Sequence, residues 1–109
     1  MTKLEQAEKL LSEMSQAEKA QILQLVVRDL GEDFPGIEST PDICGGEARI
    51  VRTRIPVWVI EQARRLGTSE AEILRSFPTL RVSDIINALA YAISHHEEID
   101  RNINENEAA

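Results

Sequence analysis

Seven arginines are concentrated in the middle of this chain and give that segment a chemistry that both ends lack. Residues 49–96 contain no lysine and carry a net charge of +3, whereas residues 1–48 carry −6 and residues 97–109 carry −4. A guanidinium group forms paired hydrogen bonds with phosphate oxygens, so an arginine-only basic segment is typical of a nucleic-acid contact surface. The predicted phosphate contacts are Arg49, Arg52, Arg54, Arg64, Arg65, Arg75 and Arg81. The alternative interpretation is an ordinary solvated surface, and the net charge of −7 for the whole chain favours that alternative.

Cys44, His95 and His96 are residue types from which nucleophilic and metal sites are built, but their spacing argues against both. About fifty residues separate the cysteine from the two histidines, and no third group that would orient a catalytic base can be identified. Adjacent histidines on a helix point about 100° apart, so they cannot chelate one ion together. We therefore expect no enzymatic activity, no bound metal, no cofactor and no small-molecule substrate.

The elements that must position the arginines are predicted to be mostly helices in a single small domain. The chain has 109 residues, 42% hydrophobic and 28% charged, which is the ordinary range for a globular protein. Residues 1–31 are predicted to form an N-terminal helical extension, and residues 32–42 a connector rich in turn-forming residues. Two capping boxes mark the two helices of the extension, Thr2 with Glu5 and Ser15 with Glu18.

The central segment, residues 43–96, is predicted to hold a small β-hairpin followed by three helices. Ile43 and Cys44 would pair across a Gly-Gly turn with a strand over 49–55, whose arginines would share one exposed face. The apolar spacing predicts the helices at 56–66, 70–76 and 82–96. These lengths and the tight second turn fit a helix-turn-helix, and they fit a generic three-helix bundle equally well.

The predicted third helix has no basic residue, and its candidate for base reading is Asn87. An asparagine amide can form two hydrogen bonds with adenine in the major groove, although a plain solvent-facing amide is the alternative. No lysine or arginine lies between Val82 and Asp100. Phosphate contact would therefore depend on the arginines that precede this helix.

Several stretches of the central segment form a specific motif pattern. They are Thr40–Gly46 (TPDICGG), Ile50–Val57 (IVRTRIPV), Arg65–Leu74 (RLGTSEAEIL), Phe77–Leu80 (FPTL), Asp84–Ile85 and Ala88–Ala92 (ALAYA). Over about residues 37–96 this pattern resembles the family catalogued as domain of unknown function 433. The resemblance implies a homeodomain-like helix-turn-helix fold. It also implies a VapB-type antitoxin that blocks a toxin with a PIN nuclease-like fold and represses its own operon by binding promoter DNA.

The chain departs from this family pattern at three places. Glu47 and Ala48 stand where many members have a basic residue and a proline, and Arg52 stands where many have a glycine. Arg81 replaces the threonine that usually caps the third helix. Thr79 and Ser83 are then the candidate caps.

The acidic tail, residues 97–109, is predicted to be helical or disordered and to contact the toxin. Ile99 and Ile103 are spaced four residues apart, so a helix would place them on one side with carboxylates around them. A ribonuclease presents a positively charged groove to its RNA, and such a groove attracts this charge pattern. The predicted toxin-binding residues are Glu97, Glu98, Ile99 and Ile103, and a frayed solvated terminus is the alternative.

The apolar stripes of residues 4–30 exceed what the small central core needs, so we also predict a homodimer to which the N-terminal helices contribute. The longest apolar run, Ile55 to Ile60, is far too short to span a bilayer, and the cytoplasm is the expected compartment. Two other functions remain open at this point. One is a protein-interaction module that does not bind DNA, and the other is a DNA-binding regulator without a toxin.

Overall fold

The computed structural model describes residues 1–31, 34–41 and 44–108. Within these ranges the chain forms six α-helices and one two-stranded antiparallel sheet. The prediction of a mainly helical protein with a small hairpin is therefore confirmed. The chain divides into two compact units, Met1–Asp33 and Phe34–Ala109, which we call the N-terminal unit and the C-terminal unit.

The N-terminal unit consists of α1 (Lys3–Glu13) and α2 (Gln16–Leu30). Both predicted capping boxes are present, with the Thr2 hydroxyl accepting from the Glu5 backbone N–H at 3.1 Å and the Ser15 hydroxyl from the Glu18 N–H at 3.2 Å. In each box the glutamate accepts the cap residue's own N–H in return. Gly31 ends α2 with a positive φ of 56°, a conformation that glycine adopts without strain. Neither helix contains a buried residue.

Four helices make up most of the C-terminal unit, namely α3 (Val57–Arg65), α4 (Glu70–Ser76), α5 (Val82–Ser94) and α6 (His96–Ala108). Ser69 caps α4 through a hydrogen bond to the Glu72 N–H, and the observed bounds of α4 are the predicted ones. The predicted third helix is divided at His95, which is the C-cap of α5. Neither Thr79 nor Ser83 caps α5. Instead the Asp84 carboxylate accepts the Arg81 backbone N–H at 2.8 Å.

The sheet pairs β1 (Ile37–Glu38) with β2 (Arg49–Ile50), so that Ile37 lies opposite Ile50 and Glu38 opposite Arg49. The predicted pairing with Cys44 is wrong because Cys44–Gly46 forms a 3₁₀ turn, and Ile43 lies outside the described residues. The predicted strand 49–55 is also shorter than expected. After Ile50 the chain turns back, with the Ile50 N–H donating to the Ile55 carbonyl and Arg52 in the left-handed region at φ 64°.

The core of the C-terminal unit is assembled from the sheet, α3, α5 and α6. Its most completely buried side chains are Ile50, Val57, Ile60, Ile85 and Ile99. Because α6 supplies one of them and packs against both α3 and α5, it is part of the folded unit. Among the helices that the structure describes, none is long and apolar enough to cross a membrane.

Candidate nucleic-acid and protein interfaces

Arg49, a predicted phosphate contact, is instead a buried structural residue. Its guanidinium donates to the Glu38 carboxylate at 2.8 Å and to the Thr40 hydroxyl at 3.2 Å. The side chain is only 7% exposed and ties β1 to β2. A buried guanidinium that already has two acceptors is not available to phosphate, so the prediction for Arg49 is corrected.

Arg64 and Arg65 are held by the buried carboxylate of Glu61. Arg64 binds both oxygens of Glu61 at 2.7 and 2.8 Å, and Arg65 binds one at 2.8 Å while also contacting Asp100. The hydrogen bond from Arg64 is the main cause that lowers the pKa of Glu61; burial opposes it and Arg65 adds to it. These contacts link α3 to α6, and they neutralise much of the charge that was predicted to attract phosphate.

Arg52 and Arg81 lie at the beginning of α5, where both side chains are exposed. The Arg52 guanidinium is 3.6 Å from one oxygen of Asp84, whose other oxygen accepts the Arg81 N–H. Arg54 lines the same shallow cleft as Arg52, a space of about 330 Å³. Glu38, Arg49 and Thr53 complete its lining. The start of a helix carries a partial positive charge, and two arginines face a single carboxylate, that of Asp84, at this point. Arg75, near the end of α4, is exposed as well.

Asn87 does not face outward from α5 but lies against the turn at Gly36. A Cβ atom added at Gly36 would be 2.6 Å from the amide nitrogen of Asn87. Gly36 also has a φ of 74°, so glycine is required there on both steric and conformational grounds. The amide predicted to read adenine is therefore packed against the protein's own backbone.

The outward face of α5 carries an apolar surface that the sequence analysis did not anticipate. We call Val82, Ile86, Leu89 and Ile93 the α5 stripe. Ile86 is 58% exposed and Ile93 is 70% exposed, whereas Leu89 is half-buried at the edge of the stripe. The side of the helix that faces the core holds the buried Ile85 and Ala88. The available signal was that apolar residues of this helix occupy two faces, whereas one face suffices to contact a core.

The four predicted toxin-binding residues differ in exposure and in their contacts. Ile99 is fully buried and Ile103 is 6% exposed, so neither can anchor the tail in a toxin. The Tyr91 hydroxyl donates to both oxygens of the Glu98 carboxylate, whereas Glu97 remains exposed. The apolar spacing of the tail correctly indicated a helical face, but that face packs on the chain's own core.

An aromatic cluster secures the junction between α5 and α6. The ring of His95 stacks on Tyr91 with centroids 3.8 Å apart, and Phe34 meets Tyr91 edge to face at 5.4 Å. Burial is the main cause that raises the pKa of Tyr91, and the neighbouring Glu98 carboxylate adds to it. The Nδ1 of His95 lies 2.8 Å from the Ser94 hydroxyl, so this histidine has structural contacts. No group of three or more metal-ligating side chains occurs in the described parts of the chain.

The helices of the N-terminal unit expose many large apolar side chains to solvent. They are Met1, Leu4, Leu10, Leu11, Leu23, Leu25, Val26 and Val27. The helices and their stripes follow from the sequence, but whether the stripes are covered depends on packing. In the described structure they are not.

These features define a small, mainly helical protein with a two-stranded sheet and two exposed apolar surfaces. Residues 37–92 match the family model described as "Protein of unknown function (DUF433)". The chain is similar to a DUF433 member protein from Anabaena variabilis ATCC 29413 whose crystal structure is known. The two sequences are 35% identical, and the two structures superpose with a TM-score of 0.61. The similarity covers 95% of this chain and 99% of that one. No curated protein matches the chain. The chain belongs to the DUF433 family, as its motifs predicted.

Proposed function

We propose that this protein is an antitoxin that neutralises a PIN-like ribonuclease toxin by direct contact through α1 and α2. The resemblance described above supplies the class of partner. The observation that carries the proposal is the exposed apolar surface of the N-terminal unit, in which neither helix buries a single residue. Both the toxin and the promoter of such an operon would be met in the cytoplasm.

The character of this surface supports a protein as its partner. Monomeric soluble proteins rarely expose large contiguous apolar patches, and such patches mark protein interfaces. The two capping boxes stabilise the helices before binding, which reduces the entropy that the complex must overcome. Leu23, Val26 and Val27 are 54%, 48% and 39% exposed on α2. Their spacing of three and four residues places them on one face of the helix, and they are the expected anchors.

Co-purification and growth rescue test this proposal with the full chain and the toxin encoded beside it. The double variant Leu23→Glu and Val26→Glu should weaken toxin binding at least about 100-fold, because two charges would be buried without partners. Gln24→Glu is the matched control, since it adds charge at an exposed position of the same helix without removing apolar surface. If the double variant still co-purifies with the toxin and restores growth, the N-terminal unit is not the inhibitory element.

DNA binding is a second candidate function, and the arginines at the start of α5 favour it. Arg52 and Arg81 are exposed beside a helix N-terminus, where phosphate oxygens would meet both guanidinium and backbone donors. The outward face of α5 offers apolar groups where base-reading side chains would be needed. The proposed contact is therefore with the phosphate backbone and carries little sequence preference.

Gel shifts on the operon's own promoter and on a random duplex test the DNA proposal. Arg52→Ala and Arg81→Ala should each lower the affinity for both duplexes severalfold. Each should also reduce the slope of log affinity against log salt concentration by about one. Arg101→Ala removes the same charge from an exposed position on α6 and should have a smaller effect. Absence of any shift at about 50 mM salt would favour an interaction module without DNA binding.

A further inference from the structure

We propose that the α5 stripe is a homodimer interface, in which α5 packs antiparallel against α5 of a second copy. The stripe consists of Val82, Ile86, Leu89 and Ile93, whose spacing of four, three and four residues is that of an antiparallel or parallel helix-packing seam. This inference concerns a surface that the proposed antitoxin contact does not use. It also moves the expected dimer contact away from the N-terminal helices.

The two faces of α5 show why the stripe needs a partner. One face is buried, with Ile85 at 1% and Ala88 at 0% exposure, and contributes to the core of the C-terminal unit. The other face holds Val82 at 47%, Ile86 at 58% and Ile93 at 70% exposure, and Leu89 is half-buried beside them. A helix that is apolar all round is typically buried on all sides, so the exposed face of α5 is the kind of surface that a partner covers. Covering the stripe would remove this apolar surface from water, which favours association.

A second copy is the occupant because the stripe is complementary to itself. Asp84 is the only charged residue of α5, and its carboxylate is buried, so two stripes meet without like-charge repulsion. In a two-fold arrangement centred between Ile86 and Leu89, Val82 of one copy faces Ile93 of the other. Ala90 lies beside the stripe and lets the two helix backbones approach closely.

The charges at the two ends of the stripe set the antiparallel orientation. Arg81 is exposed at the beginning of α5, and Glu97 is exposed in the first turn of α6, just after α5 ends. Within the part of the chain that the structure describes, neither side chain forms an ion pair. An antiparallel pair places the basic end of each α5 beside the acidic end of the other, whereas a parallel pair places like charges together. The helix dipoles favour the same orientation.

The size of the surface predicts a weak, concentration-dependent dimer. A single helix stripe provides less than the roughly 1,200 Å² of total buried area found in most stable interfaces. Sedimentation equilibrium of the full chain from about 1 to 200 µM should therefore show a monomer–dimer equilibrium with a dissociation constant in the micromolar range. A monomer throughout this range overturns the proposal.

Ile86→Glu tests the stripe directly and should raise the dissociation constant at least about 30-fold, because it buries two charges at the centre of the interface. Leu66→Glu is the matched control, since Leu66 is 78% exposed in the same unit but lies at the end of α3. Trp58 fluorescence during urea unfolding verifies that both variants are folded. A dimer that survives Ile86→Glu, or one that Leu23→Glu dissociates instead, contradicts the assignment.

A charge exchange tests the orientation. Arg81→Glu and Glu97→Arg should each weaken the dimer about three- to tenfold, since each creates two symmetric like-charge contacts. The double variant should return the dissociation constant to within about twofold of the original, because the ion pair is then re-formed with its signs exchanged. Additive weakening in the double variant rules out the antiparallel arrangement. The Ile86→Glu variant should still bind the toxin, because the proposed toxin contact lies on α1 and α2. Measuring both properties on this variant therefore tests the dimer and the antitoxin proposals independently.

Discussion

The N-terminal and C-terminal units are both built mainly from amphipathic helices, but only the C-terminal unit buries its apolar residues. The C-terminal unit buries Ile50, Val57, Ile60, Ile85 and Ile99 almost completely. The N-terminal unit buries none of the residues of α1 or α2. Because apolar burial is the main favourable term in folding, the first unit to lose structure should be the N-terminal one. Large exposed apolar surface without a core is typical of a segment whose stability comes from a partner.

The same contrast occurs within a single helix of the C-terminal unit. The inner face of α5 contributes Ile85 and Ala88 to the core, and its outer face presents the α5 stripe to solvent. Periodicity identifies both faces as apolar and cannot distinguish them. The inner face belongs to the core because other elements of the same unit pack on it, and no element covers the outer face in the described structure.

The largest effect is expected for α6, whose burial contradicts its prediction as a toxin-binding tail. Ile99→Ala should lower the free energy of unfolding of the C-terminal unit by about 2 to 5 kcal/mol, because it leaves a cavity among α3, α5 and α6. Urea denaturation followed by Trp58 fluorescence measures this, since Trp58 lies on α3. Deletion of residues 97–109 should unfold the unit. A loss below about 1 kcal/mol for Ile99→Ala would mean that α6 is not part of the core.

The next effect concerns the contact between Asn87 and the Gly36 turn. Gly36→Ala should destabilise the C-terminal unit by about 1 to 3 kcal/mol, from strain at positive φ together with the clash with the amide. Gly67→Ala is the control, because Gly67 has a φ of 86° but no atom within 4 Å of the added Cβ. Gly36→Ala is expected to cost more stability than Gly67→Ala because of the clash with Asn87. Adding Asn87→Ala to Gly36→Ala should remove that clash and bring the loss down to that of Gly67→Ala. Equal losses for Gly36→Ala and Gly67→Ala would contradict the packing of Asn87.

A smaller, pH-dependent effect is expected at Glu61. Its pKa is lowered from 4.5 in the folded state, chiefly by the hydrogen bond from Arg64. The stabilisation is therefore complete above the unfolded-state pKa and is lost as the pH falls below it. Glu61→Gln should lower the free energy of unfolding by about 1 to 2 kcal/mol at pH 7. The variant should also lose less stability than the original chain when the pH is lowered. Glu105→Gln, at an exposed position of α6, should change neither.

The smallest effect is expected in the N-terminal unit. Leu25→Ala should change the stability of the free chain by less than about 0.5 kcal/mol, because Leu25 is already 53% exposed. Circular dichroism of the free protein measures the helix content, and Trp58 fluorescence should not respond. A loss comparable to that of Ile99→Ala would show that Leu25 is buried in the free protein and would remove the contrast between the two units.

The sequence predicted the local features of the fold well because their causes lie within a few residues. Both capping boxes and the bounds of α4 follow from a cap and a stop signal that are adjacent to the helix they limit. The hairpin was predicted less well. The apolar alternation identified a strand at Arg49 and Ile50, but nothing local indicated that its partner would be Ile37 and not Cys44.

The candidate site residues were harder to predict than the helices because exposure is a property of the whole fold. Seven arginines looked equivalent in the sequence, yet Arg49 is buried, and Arg64 and Arg65 are bound to Glu61. Arg52 and Arg81 at the start of α5 remain exposed as expected, and so do Arg54 and Arg75. The structure also explains why many family members have a glycine at the position of Arg52. This residue adopts a left-handed φ of 64°, which a glycine adopts without strain.

The sequence by itself determined where α1, α2 and α4 begin, since a capping side chain acts over three or four residues. It also determined family membership, since residues 37–92 carry the motifs. Tertiary structure alone decided which apolar faces are covered and which charges are neutralised. The contacts responsible join residues far apart in the chain, such as Arg65 with Asp100, and they pack α6 against α3. A stripe of isoleucines has the same chemistry whether it meets its own chain or a partner, so only packing could assign α6 to the core and leave the α5 stripe exposed.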